Sequence, residues 1–374
     1  MEKKKILFFI YRMGGGGAAR TLLNIINNID RTQFTPVLVT LDRDGGYEEY
    51  VAEDVLFIKL GTKRLRGAVT RLAKVIREER PDIVFSTIPN YNIVALLATM
   101  LARTGARNVV REAAYLGGTP KENAKLRFAG LLYQRASRVI ALSKGVKGNI
   151  IKRYKVNSDK IDIIYNPVDV ENIQALMERE DVDGAHRPFF QSDGKTIITA
   201  GRFHHDKDQL TLIEAFKTVR DEVPGTRLVI LGEGELEAEL KRRTEALGLA
   251  GDVLFTGFRH NPYAYFAQSD LFVLSSIREG FGHVLTEALA TGTPVVSTKA
   301  HPGAEEVLDG GEYGLMCEPS DSKALAESIS SMLELDDSKR ETIIEKGLRR
   351  AEMFHADKIV KQYERMFTDV LKKT

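Results

Sequence analysis

Apolar residues in this chain come in short unbroken runs, each followed by a stretch with helical spacing. Residues 6 to 11 form one such run, and Leu22, Leu23, Ile25, Ile26 and Ile29 follow it at the spacing of one helix face. The pattern returns with runs at residues 37 to 41, 83 to 86, 109 to 115, 139 to 142 and 161 to 165, and helical stretches at 65 to 80, 93 to 103 and 121 to 138. Residues 170 to 194 have no sustained period and predict a linker with a short helix. A second series then begins, with strands at 196 to 200, 228 to 231, 253 to 256 and 271 to 274, a buried run at Val295 and Val296, and helices at 236 to 247 and 284 to 290. The last helix, from about Asp357, has Ile359, Val360, Tyr363, Phe367 and Val370 on one stripe. The expectation is an α/β protein with domains at residues 1–170 and 195–355, a linker at 171–194 and a C-terminal helix at 356–374.

Length agrees, since 374 residues with 43% hydrophobic and 28% charged content suit two domains that each bury a core. No apolar run approaches the roughly 20 residues that span a bilayer, and Met1-Glu2-Lys3-Lys4-Lys5 leads straight into a strand, so a cytoplasmic protein is expected. The single cysteine, Cys317, permits no internal disulfide and reads as a small buried apolar residue. The net charge of +2 conceals an asymmetry. Residues 1–170 hold 29 Lys and Arg against 16 Asp and Glu, a net of +13, and the remainder carries −11. Residues 121–160 alone hold eleven Lys and Arg against Glu122 and Asp159. That density points to a polyanionic partner, an anionic membrane or a phosphate-bearing acceptor, with nucleic acid as the competing reading.

Candidate chemistry gathers in loops that follow strands. Arg278-Glu279-Gly280-Phe281-Gly282-His283 lies between a strand and a helix, and its glycines allow the backbone to approach a ligand and turn N–H groups toward it. Glu279 and Glu287 are separated by seven residues, which lets both carboxylates face the crevice above the strand and accept hydrogen bonds from vicinal diols. The plain alternative is a helix-terminus acid and a solvated helix acid. After the first strand of the second series, Arg202 and Lys207 flank a turn, and a guanidinium and an ammonium at that spacing can clamp a diphosphate. His204 and His205 lie between them without a carboxylate triad, a poor metal site. At the other end of the chain Gly14-Gly15-Gly16-Gly17 has the form of a phosphate loop. With Ala19 and Asp42 it can be fitted to a dinucleotide fingerprint, although four glycines satisfy almost any glycine pattern. Asn90 and Asn92, at a strand end, are candidate acceptor contacts or helix caps.

The phrase Glu279-Gly280-Phe281-Gly282, with Glu287-Ala288 and Gly292-Thr293-Pro294-Val295-Val296, closely resembles the Glu-x7-Glu signature of the retaining glycosyltransferases of family 4 (GT4). Gly201-Arg202-x4-Lys207 resembles their diphosphate signature, and Asn166-Pro167-Val168-Asp169 the turn that closes their first domain. The resemblance implies the GT-B fold, two Rossmann-like domains facing each other across a deep cleft, with a tail that crosses back to the first. It also implies a metal-independent hexosyl or N-acetylhexosaminyl transfer from a nucleotide sugar, expected to be a UDP-sugar, with no resident cofactor.

On that resemblance the donor contacts are Gly15, Gly16, Gly17, Arg202, Lys207, Phe258, Gly280, Phe281, Gly282, His283 and Glu287, and the catalytic candidates are Glu279, Arg202, Lys207 and Glu112. Many family members have a histidine after the acid at Glu112; here Ala113 follows, which leaves Glu112 and Arg111 as the polar candidates. The expected partners are a lipid-linked or oligosaccharide acceptor of cell-surface glycan synthesis and the anionic inner face of the membrane, and no nucleic acid. The membrane expectation rests on the stretch 121 to 138, where Phe128, Leu131 and Leu132 lie among Lys121, Lys125, Arg127, Arg135 and Arg138, as on an interfacial helix. The alternatives are a UDP-sugar epimerase of the same architecture and a non-enzymatic polyanion-binding protein.

Overall fold

The computed structural model describes residues 3–14, 16–179, 181–191 and 193–372. The chain divides into two compact units, Met1–Pro167 with Ala356–Thr374, and Val168–His355.

The first unit is built on β1 (Lys4–Ile10), α1 (Gly17–Asn28), β2 (Phe34–Thr40), β3 (Leu56–Lys59), α2 (Ala68–Glu79), β4 (Ile83–Thr87), α3 (Pro89–Ala102), β5 (Arg107–Glu112), α4 (Pro120–Tyr133), β6 (Arg138–Ala141), α5 (Lys144–Asn149) and β7 (Ile161–Ile163). All seven strands are parallel, in the order β3-β2-β1-β4-β5-β6-β7. Because alternate residues of a strand face opposite sides, Ile6, Phe8 and Ile10 of β1 serve one core and Leu7 and Phe9 the other. The first core is closed by the C-terminal helix Ala356–Lys372, whose Phe367 stands edge-on to Phe8, Phe34 and Phe85. The second is covered by Leu72 and Ile76 of α2 and Ala95 and Ala98 of α3.

The second unit continues with α6 (Val170–Arg179), α7 (Arg187–Phe190), β8 (Thr196–Ala200), α8 (Gln209–Glu222), β9 (Arg227–Leu231), α9 (Glu237–Ala246), β10 (Val253–Gly257), α10 (Tyr263–Ala267), β11 (Leu271–Leu274), α11 (His283–Ala290), β12 (Val295–Thr298), α12 (Gly303–Val307), β13 (Leu315–Cys317), α13 (Ser322–Leu333) and α14 (Asp337–Met353). Its six parallel strands run β10-β9-β8-β11-β12-β13. In both sheets the order reverses beside the first strand, between β1 and β4 and between β8 and β11. A doubly wound sheet opens a crevice there, outside the carboxyl ends of its strands.

Three expectations are corrected. Residues 171–194 do not form a linker: α6 and α7 belong to the second unit, where α6 packs on α10 and α11. The boundary falls between Pro167 and Val168. The helix expected over residues 121–138 stops at Tyr133, because Arg138 starts β6 and pairs with Asp162 across the ladder, so Arg135 and Arg138 are not on the helix. Cys317, as expected, is buried in the second core, and burial pushes its thiol up to about 11.

Candidate active site

The loops after β8 and β11 meet at the strand-order reversal of the second unit. Lys207 ends a tight turn after β8, where Asp208 takes a positive φ of 47° before α8. Its carbonyl accepts from the Ser275 hydroxyl at 2.9 Å, and Asp206 O accepts from Ile277 N at 2.8 Å, so the two loops are stitched together at the backbone carbonyls of the first. Across this seam the Lys207 ammonium is ion-paired with Glu279, and Ser276 Oγ donates to the same carboxylate oxygen at 2.8 Å. Glu279 is largely covered, with 12% of its side chain exposed. Its backbone is fixed too: Gly303 N donates to Glu279 O, and a Cβ at Gly303 would lie 2.4 Å from the Phe281 backbone. Only a glycine lets α12 come so close to the loop.

The rest of the motif divides by role. Phe281 is 2% exposed and sits edge-on to Phe354 at 5.2 Å, so its side chain anchors the loop in the core. Gly282 supplies the positive φ, 83°, that turns the loop into α11. His283 opens that helix, with Nδ1 3.9 Å from a Glu287 oxygen. Glu287 is buried to 4% exposure and accepts a long hydrogen bond from the Tyr263 hydroxyl, 3.4 Å. Gly280 lies half-buried between Glu279 and Phe281. Arg202, by contrast, is exposed and makes no hydrogen bond or ion pair through its side chain among the described residues. It lines an open cavity of about 240 Å³ with Phe203, His204 and Glu235. Phe258, after β10, is 38% exposed with its ring edge-on to His260, and its N–H donates to Glu233. Among the described residues no group of three or more His, Cys, Asp or Glu is placed to hold a metal.

The second unit's sequence, residues 185–350, matches the model of glycosyl transferases group 1, and residues 15–172 match that of Glycosyltransferase Family 4. The chain is a glycosyltransferase with a family-4 domain followed by a group-1 domain. Over 374 aligned residues the enzyme is 29% identical to the N-acetylgalactosamine-N,N'-diacetylbacillosaminyl-diphospho-undecaprenol 4-alpha-N-acetylgalactosaminyltransferase of Campylobacter jejuni, covering 96% of this chain and 98% of the relative. It is 28% identical to the N-acetyl-alpha-D-glucosaminyl L-malate synthase of Bacillus anthracis, over 81% of this chain and 78% of that one. Among solved structures, Anabaena HepE in complex with UDP and glucose superposes with a TM-score of 0.82 at 25% identity, covering 98% of this chain and 100% of that one. The glycosyltransferase therefore has the GT-B pair of Rossmann-like domains.

In its first unit the glycine loop enters α1 with Gly16 as N-cap and Gly17 as first residue, both exposed, with no acid in the first turn, and the Gly16 N–H donates to Gly14 O at 2.9 Å. Gly15 lies outside the described residues. A Cβ at Gly16 would meet nothing within 4 Å, and Tyr47 N donates to Met13 O at 2.8 Å, bracing the loop from behind.

Glu112 is fully buried, which corrects its expected place beside a reacting sugar. Its Oε2 accepts from the Tyr133 hydroxyl at 3.1 Å and the Tyr154 hydroxyl at 3.0 Å, and Oε1 has no hydrogen bond. Burial pushes its pKa up to about 7, and the nearby N–H groups of Ala113 and Ala114 only partly offset that. Asn92 is equally enclosed: it accepts from Ser86 and donates to Arg111 O and Tyr133 Oη, so it braces the sheet and does not reach an acceptor. Arg111 is buried against Thr87 and Asn166. Asn90 is exposed. Sequence reasoning missed Ser276 and Tyr263, although the polar pair Ser275-Ser276 directly after the apolar run of β11 was a signal that a strand end faces a site.

Proposed function

We propose that this enzyme transfers a hexosyl or N-acetylhexosaminyl group from a UDP-sugar to a lipid-linked saccharide acceptor, with retention at the anomeric carbon and without a metal. The observation that carries the reading is the joined Lys207–Glu279–Ser276 cluster beside an unpaired Arg202. A diphosphate brings the anion that Arg202 lacks, and Lys207, already held over the loop, shares its charge with the leaving oxygen as that charge develops. Glu279 accepts hydrogen bonds from hydroxyls of the transferred sugar, Glu287 serves the ribose, and the half-exposed Phe258 flanks the base. The C1–O bond to the β-phosphate breaks as C1 bonds to the acceptor oxygen on the same face, and the β-phosphate oxygen takes the acceptor's proton. HepE in complex with UDP and glucose and the diphospho-undecaprenol named for the Campylobacter relative support the donor and acceptor chosen.

The acceptor's lipid sets where the enzyme works. On α4 Phe128 and Leu131 are 67% and 66% exposed, one turn apart, among the exposed Lys121, Lys125 and Arg127. Such a face suits the inner leaflet, with apolar side chains entering the headgroup layer and each nearby cation adding about 1 kcal/mol. Among the described residues no helix is long and apolar enough to cross a membrane. Calorimetry with UDP, GDP, CDP and ADP, followed by turnover of the matching sugar nucleotides on a prenyl-diphosphate saccharide, tests the whole reading. UDP is expected to bind tightest and the product to keep the donor's anomeric configuration; an inverted product, or a changed sugar nucleotide without acceptor, would refute it.

A further inference from the structure

The first unit has its own strand-order reversal, between β1 and β4, and two tyrosines stand at it. Tyr11 follows β1 and Tyr91 lies in the first turn of α3, after β4; their rings are 5.5 Å apart and both are half-buried. Tyr91 rests edge-on against the core residue Phe9, so the pair has a rigid floor. Two guanidiniums flank it. Arg43, after β2, sits 4.9 Å from the Tyr11 ring centre and donates to its hydroxyl at 2.5 Å, and Arg12 sits 5.6 Å from the same ring. Both arginines are exposed, and Arg43 uses only two of its five N–H donors, on Tyr11 Oη and Lys63 O. The neighbouring acid Asp44 is already neutralised by Lys59.

The turn that delivers Tyr91 is strained. Ile88 has φ +76° and ψ 130°, a region that a β-branched residue almost never adopts, and its carbonyl then accepts the Tyr91 N–H at 3.0 Å. Such strain persists where the surrounding structure holds it for a purpose. Here its effect is to set one aromatic ring beside another at the mouth of the sheet.

We propose that Tyr11, Tyr91, Arg12 and Arg43 form a saccharide subsite that takes a sugar ring against the tyrosines and the oxyanion attached to that sugar on the arginines. Resting on the glycosyltransferase reading, it is the part of the acceptor site that selects a charged saccharide. The oxyanion is a glycosyl phosphate or a uronate. Aromatic faces accept the C–H side of a pyranose, and a guanidinium offers two parallel N–H donors to a phosphate or carboxylate.

Calorimetry and saturation-transfer NMR on the full chain, with N-acetylglucosamine 1-phosphate, glucuronic acid, N-acetylglucosamine and inorganic phosphate, test it. At least one charged sugar should bind at least tenfold more tightly than the neutral sugar and than phosphate alone, and whichever is tighter identifies the oxyanion. Tyr91→Leu and the exposed Arg43→Gln should each weaken it at least tenfold and leave UDP affinity within twofold; Tyr91→Phe should keep it. Equal binding of charged and neutral sugars, or variants that bind like the parent, would overturn the subsite. Loss of UDP binding with Tyr91-dependent saccharide binding intact would refute the donor assignment alone.

Discussion

Glu112→Gln probes the buried acid of the first unit. Folding takes this carboxyl from an ordinary value of 4.5 to about 7, because two neutral hydroxyls and the nearby Ala113 and Ala114 N–H groups only partly compensate its burial. Between those values the folded chain holds a proton that the unfolded chain has released, so stability falls as pH rises through this window and is level above it. The spread corresponds to about 3 kcal/mol. Glutamine does not titrate. Its oxygen can accept from both tyrosines, but its NH2 replaces the unpaired Oε1, at a cost of about 1–2 kcal/mol at every pH. The variant should therefore be less stable than the parent at pH 4.5 and more stable at pH 8. Urea unfolding across that range, read by hydrogen exchange at the β5 and β6 amides, isolates the first unit from the second. A difference between the two proteins that does not move with pH would refute the reasoning.

Arg202→Ala should weaken UDP binding by about 2 kcal/mol or more, roughly thirtyfold, by calorimetry; unchanged affinity would move the diphosphate elsewhere. Glu279→Ala should lower turnover more than UDP affinity, whereas Glu287→Ala should lower UDP affinity through the ribose; equal losses of UDP binding with turnover kept would refute both roles. Gly303→Ala drives a Cβ into the Phe281 backbone, so it should cost about 1–3 kcal/mol in thermal unfolding and displace the Glu279 loop, with a matching fall in kcat. In vesicle co-sedimentation the parent should bind anionic and not neutral liposomes, more weakly at high salt, and Lys125→Glu with Arg127→Glu should abolish it; equal partition would favour a soluble acceptor.

The strands were legible because a parallel strand covered on both faces writes itself as an unbroken apolar run, and β8 and β11 lie where those runs stand. The sequence reading leaves out the edge strand β3, although Val55-Leu56-Phe57-Ile58 is an unbroken apolar run of the same kind. Arg202, Lys207, Glu279 and Glu287 could be found because spacing on a loop and the following helix is a sequence property. What spacing cannot report is depth. Glu112 and Arg202 are both charged residues near a strand end, yet one is sealed beneath two tyrosines and the other is exposed. That difference comes from the approach of α4 to the turn Ile150–Tyr154, so close that a Cβ on Gly130 would lie 1.8 Å from Tyr154 O, a contact made between segments that no local pattern connects.

The closing helix has a bearing on biogenesis. Phe8 and Phe367, far apart in the chain, meet edge-on, so the first domain cannot finish its core until residues 356–372 have been made. The second domain is contiguous and has all its strands by Cys317. At about 5–20 residues per second, the sheet face carrying Phe8 and Phe85, covered in part by α1, waits roughly ten to forty seconds for its closing helix while the second domain is synthesised. The domain that emerges first from the ribosome is thus the last to complete, and for that interval its exposed aromatic face is the part of the nascent chain most in need of a chaperone.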